Sequence, residues 1–156
     1  MTTALDQARD LFQEGLGHFG AGRLAQAEGC FAAALALVPG RPSLLTNLGV
    51  TRVRLGQPAA AVPLLEQATA AEPKNLEAWA HLALAHAALE QPAQALVCCN
   101  KAIAIDPSRA SLWLQRAQLL VRQNRSDEAL DALDRALAID TTLADAWSHK
   151  GTLLRE

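Results

Sequence analysis

Residues 79–107 read WAHLALAHAALEQPAQALVCCNKAIAIDP, and they hold one whole building unit of the chain. An alanine-rich apolar segment is followed by a polar break at Glu90-Gln91-Pro92, then by a second alanine-rich segment that halts at Pro107. Pro92 suits the first turn of a helix, where a missing N–H is no loss. Pro107 acts the other way, because the residue before a proline is pushed out of the α region. The stretch predicts two helices of roughly four turns each, joined by a tight turn.

The unit recurs with a period of 34 residues. Ala27, Ala61, Ala95 and Ala129 keep that spacing, as do Ala34, Ala68, Ala102 and Ala136. Pro39, Pro73 and Pro107 close successive units, and Thr141 breaks the series. Upstream come Leu11, Leu45, Trp79, Trp113 and Trp147, then the small residues Gly15, Gly49, Ala83, Ala117 and Gly151. The small set is expected to face the second-helix alanines of its own unit, since bulkier residues would push the axes beyond ~8–10 Å. Trp79 and Trp113 are expected to be buried in the adjoining gap. Gly22-Arg23, Gly56-Gln57, Glu90-Gln91 and Asn124-Arg125 mark the turn inside each unit, where a left-handed residue ends the first helix. Pro58 and Pro92 suit the restart, and Ser126-Asp127-Glu128 offers an N-cap followed by acids that favour the helix dipole. Pro63, about two turns into its helix, is expected to bend it.

This pattern resembles the tetratricopeptide repeat (TPR), a pair of antiparallel helices per unit. The resemblance implies an all-α, right-handed superhelical solenoid of four full repeats plus one extra C-terminal helix. As a single domain over 1–156, its repeats run at about 8–41, 42–75, 76–109 and 110–143, with a half-repeat at 144–156. Such a solenoid buries apolar surface between neighbouring units. It also implies that the first helices line the concave face.

Composition narrows the function classes. The chain is 51% apolar and 19% charged, which suits one soluble domain of closely packed helices. A net charge of -2 with scattered basic residues leaves no footprint for nucleic acid. The N-terminus lacks a targeting pattern, and the longest apolar run, Phe31 to Val38, is too short to span a bilayer, so no membrane partner and a cytoplasmic location are expected. Three irregularly spaced cysteines are no disulfide framework, and Cys30, Cys98 and Cys99 read as small buried or half-buried residues.

Several catalytic patterns occur by letter alone. Gly15-Leu-Gly17-His-Phe-Gly20 spells G-x-G-x-x-G, but late in a helix instead of after a strand. No histidine pair has the i, i+4 spacing of a helical metal site, and Cys98-Cys99 lacks the two-residue gap of zinc ligands, so neither metal nor cofactor is expected. Asp145, Ser148 and His149 share one turn and cannot form a convergent hydrolase triad. The expectation is a chain without catalytic residues.

A face of the first helices remains for binding. Gln13, Asn47, His81, Gln115 and His149 recur every 34 residues as a ladder of groups that both donate and accept hydrogen bonds. Phe12, Leu16, Phe19, Val50, Val53 and Leu84 supply apolar neighbours, and Arg54, Gln118 and Arg122 lie beside them. The ladder is similar to the asparagine ladder of O-linked N-acetylglucosamine transferases, although only Asn47 keeps the asparagine. The cationic clamp by which related modules hold chaperone C-termini is missing, with Phe12, Leu16, Glu77 and His81 at its other places. The expected function is a non-catalytic protein–protein interaction module that receives a peptide or amphipathic helix in its concave groove. An alternative is the N-terminal recruiting region of a larger glycosyltransferase or methyltransferase. Trp147, Leu153 and Leu154 form an apolar edge on the last helix, where two copies are expected to meet as a homodimer unless further repeats follow.

Overall fold

The computed structural model describes residues 3–155, so the outermost ends of the domain placed at 1–156 lie outside it. Nine helices follow one another among the described residues: α1 (Ala4–Gly20), α2 (Leu24–Leu37), α3 (Pro42–Arg54), α4 (Pro58–Ala71), α5 (Leu76–Ala88), α6 (Pro92–Ile105), α7 (Ala110–Arg122), α8 (Ser126–Ile139) and α9 (Ala144–Leu153). Each odd helix from α1 to α7 packs most extensively on the even helix that follows it. The result is an all-α solenoid of antiparallel pairs, with α9 stacked on α8.

The turn inside each pair repeats one backbone device. Gly22, Gly56, Glu90 and Asn124 all have positive φ, between 56° and 74°. The next N–H then reaches back to a helix carbonyl: Arg23 to His18, Gln57 to Arg52, Gln91 to His86 and Arg125 to Leu120, at 2.8–3.0 Å. This satisfies carbonyls that the helix end would otherwise leave bare. Glu90 is the strained member, as its Cβ disfavours that conformation.

One cap differs from the sequence reading. Ser126 is the first helical residue of α8; the N-cap is Arg125, which makes no side-chain cap bond. Arg125 instead grips Glu128 with two bonds of 2.7 Å. Pro63 leaves α4 unbroken at 14 residues, the same length as α2, α6 and α8. It sits on the exposed side, where the lost N–H bond disturbs no packing.

Gly15 and Gly49 lie nearest to large residues of the second helices, not to the alanines. A Cβ on Gly15 would lie 2.6 Å from the Phe31 ring, and one on Gly49 would lie 2.6 Å from Leu65 Cγ. Phe31, Leu65, Cys99 and Leu133 occupy the same place every 34 residues and are fully buried. The invariant alanines flank them on the even helices and are equally buried. A Cβ on Gly151, in α9, would meet nothing within 4 Å.

Trp79 and Trp113 are half-buried against the core, so the expectation of burial holds only in part. Their indole N–H groups explain the compromise: each donates to the carbonyl six residues earlier, Trp79 to Pro73 and Trp113 to Pro107, both at 2.9 Å. Trp147 repeats the bond to Thr141 at 3.0 Å. The Trp79 and Trp113 rings pack inward, and the polar edge of all three indoles ties down the loop between repeats. Buried apolar residues divide into two clusters, one around Phe31 with Ala8, Ala27, Ala34, Leu44 and Leu48, and a longer one from Leu45 to Ala146.

Candidate functional site

Odd helices lie side by side along one face, joined by polar contacts between repeats. Asn75, the N-cap of α5, donates to Thr46 Oγ1 at 3.0 Å, and Arg109 pairs with Glu77 at 2.7 Å. Gln115 reaches the Ala80 carbonyl at 3.4 Å, and Arg122 reaches the Ala87 carbonyl at 3.0 Å. These links run between successive first helices.

The five residues of the expected ladder are not equivalent. Gln13 and His149 are exposed, whereas Asn47, His81 and Gln115 are half-buried. Asn47 spends a donor on the Ser43 carbonyl of its own helix at 2.8 Å, and Gln115 uses one on Ala80. Their amide oxygens remain as acceptors. Burial pushes the His81 imidazole below its usual pKa, with Arg54 adding to the shift and Glu77 opposing it. The ring is therefore neutral near pH 7, and its buried Nδ1 has no hydrogen-bond partner among the described residues. His149 Nε2 lies 3.3 Å from Gln118 Nε2.

Two adjoining clefts lie on this face. One, of about 450 Å³, is lined by Leu84, Ala87, Gln115, Gln118, Arg122 and His149, with Val121 at its edge. The other, of about 330 Å³, brings His81, Leu84, Gln115 and Gln118 together with the Glu77–Arg109 pair. Phe12 lines a separate cleft of about 240 Å³ between α1 and the start of α3, and its ring packs 5.7 Å from Phe31. Gln13, Leu16, Phe19, Asn47, Val50, Val53 and Arg54 line none of these three. Arg54 stacks on Phe19 at 4.6 Å, so both are engaged across the joint between repeats. Arg122 is likewise a link between repeats. At the C-terminal edge, Trp147 is 53% and Leu154 65% exposed, whereas Leu153 packs against the core and does not belong to the open edge.

Two features escaped the sequence reading. A groove of about 440 Å³ runs on the opposite face between α4 and α6, with Trp79, Leu82 and His86 of α5 between them and exposed Val97 on its wall. The third unit's Val97, an exposed apolar residue, was its sequence signal. Glu14, His18 and Cys30 also converge at the first pair, with one ligand-type atom of each within 4.8 Å of the others. Searching only histidine and cysteine spacings misses the Glu14–His18 step of i, i+4.

Sequence models of the tetratricopeptide repeat match residues 46–110 and 110–153, together more than half of the chain. The chain belongs to the tetratricopeptide-repeat family. No curated protein sequence matches it significantly. Among solved structures, the TPR solenoid is similar to a crystal structure of the MamA protein, 19% identical with a TM-score of 0.88, covering 96% of this chain and 82% of that one. It is also similar to YrrB, described as a TPR protein with an unusual peptide-binding site: 23% identity, TM-score 0.85, 92% and 74% coverage. A third likeness is a thermophilic TPR protein of Thermus thermophilus, at 26% identity and TM-score 0.77, covering 95% and 81%. As a TPR protein the chain is a protein-interaction module. No helix among the described residues is long and apolar enough to cross a membrane.

Proposed function

We propose that this module receives a peptide segment, extended or as an amphipathic helix, in its concave groove, without catalysing a reaction. The pair of adjoining clefts over α5, α7 and α9 carries the reading. Leu84 and Val121 offer apolar contact, while Gln115, Gln118 and His149 offer hydrogen bonds that a peptide backbone satisfies whatever its sequence. His81 adds an unfilled buried nitrogen at the groove floor. The contact is centred on repeats three to five, because the rungs on α1 and α3 lie outside these clefts.

Panning a random-peptide library against the protein supplies ligands for the test. Leu84→Glu and Gln118→Ala should weaken the selected peptides while leaving the melting temperature near that of the parent. Peptides that bind both variants normally but lose affinity with Val97→Glu would place recognition on the opposite face and refute the reading. Exposed Trp147 and Leu154 support a second one, in which two copies meet through α9. Sedimentation of the parent and of Trp147→Glu over a range of concentrations decides it: a parent that stays monomeric throughout refutes self-association.

A further inference from the structure

We propose that Glu14, His18 and Cys30 form a binding site for a zinc-like divalent transition-metal ion. Glu14 and His18 stand four residues apart on α1, on one face of the helix. Cys30 comes from α2, the antiparallel partner with which α1 is most extensively packed. Three potential ligand atoms of three kinds thus converge from two rigid helices, not from loops.

The donor set selects the metal class. A thiolate and an imidazole beside a carboxylate suit zinc, whereas magnesium and calcium ask for oxygen alone. Tetrahedral zinc holds its ligand atoms roughly 3.5 Å apart, given bonds of about 2.0–2.3 Å. The His18 Nε2 to Glu14 distance is already 3.6 Å, and the whole set lies within 4.8 Å. A contraction of about 1 Å is within reach of side-chain rotation, since Glu14 is exposed and His18 and Cys30 are half-buried. Water completes the fourth position.

The chain contains its own comparison. Two repeats later, His86 and Cys98 occupy the places of His18 and Cys30, but buried Leu82 stands where Glu14 does. His86 there is bonded to Gln91 at 2.7 Å. The carboxylate makes the first pair distinct. One group opposes binding: Arg23 Nε donates to His18 Nδ1 at 2.9 Å, which places the ring proton on Nε2. Coordination through Nε2 requires exposed Arg23 to swing away and the ring proton to move to Nδ1; the Cys30 thiol proton leaves to solvent.

Titration of the reduced full chain with cobalt(II), followed by competition with zinc, tests the site. The parent should take up one ion per chain with a thiolate-to-cobalt charge-transfer band. Cys30→Ser should abolish the band, Glu14→Gln should weaken binding, Arg23→Gln should tighten it, and Cys98→Ser should leave it in place. Zinc should raise the melting temperature of the parent more than that of Glu14→Gln, which keeps the readout valid even if Cys30→Ser folds poorly. A parent without the band, a band that survives Cys30→Ser, or binding indifferent to Glu14→Gln overturns the site.

Discussion

Gly49→Ala should destabilise the protein although it installs a better helix former. In an exposed helix interior the exchange gains about 0.5–1 kcal/mol. Gly29, in α2, is such a position, exposed and with nothing within 4 Å of an added Cβ. At Gly49 the new Cβ would lie 2.6 Å from Leu65 Cγ and 2.7 Å from its Cδ2, far inside van der Waals contact. Leu65 is fully buried and cannot step aside. Overpacking of this kind costs about 1–3 kcal/mol, so Gly49→Ala should lose roughly 1 kcal/mol net while Gly29→Ala gains up to that amount. Urea unfolding monitored by circular dichroism reads the difference directly. Leu65→Ala supplies the control: in that background, itself weakened by about 2–5 kcal/mol, Gly49→Ala should turn stabilising. A Gly49→Ala protein as stable as Gly29→Ala would show that the helices of this pair do not approach as described.

Relief of the left-handed Glu90 predicts that Glu90→Gly gains about 1 kcal/mol, read as a higher urea midpoint; an unchanged or lower midpoint refutes the strain. Asp106 and Asp140 are held below the ordinary carboxylate value of 3.8 by hydrogen bonds from Ser108 and Thr142. The stability they contribute is complete above that value and is lost as pH falls through their lowered folded values, so an Asp106→Asn/Asp140→Asn protein should lose less stability on acidification below about pH 4 than the parent. Parallel acid profiles would contradict it. Burial pushes Cys98 up to about 11 and Cys99 to about 12, so both should resist iodoacetamide at pH 8 in the folded chain and react after unfolding, as mass spectrometry reports. Prompt native alkylation of Cys99 would refute its burial.

The periodic residues made the helix pairs legible because each obeys a local rule: proline opens or closes a helix, and a left-handed residue ends one. Which residue meets which across the pair was less visible. Gly15 and Gly49 were matched to alanines, yet the room they leave is filled by Phe31 and Leu65, a choice set by the rotation of α2 and α4 about their axes. The same limit affected the groove. Its face could be read from spacing, but not that Arg54 lies on Phe19 or that Arg122 caps a carbonyl of α5, because these contacts join units 35 residues apart. Spacing likewise does not separate Trp147 and Leu154, which are exposed, from Leu153, which turns to the core.

Taken as a spring, the array is not fastened in the same way at every joint. The three later joints are each held by an indole bonded across the loop, but Leu45 stands at that place in the joint after the first pair and has no such donor. The cluster around Phe31 includes Leu44 and Leu48 of α3, so buried hydrocarbon crosses that joint too, and partly buried Leu35 and Leu64 touch both clusters. The 2.9 Å Arg52–Glu28 pair and the Arg54–Phe19 stack cross the joint beside them, attractions that weaken with salt more than buried hydrocarbon does. The first joint is therefore fastened by hydrocarbon and charge, and each later one by an indole as well. Salt loosens only the charged part of that fastening, and it acts in the same way on the Arg109–Glu77 pair between the third and fourth repeats.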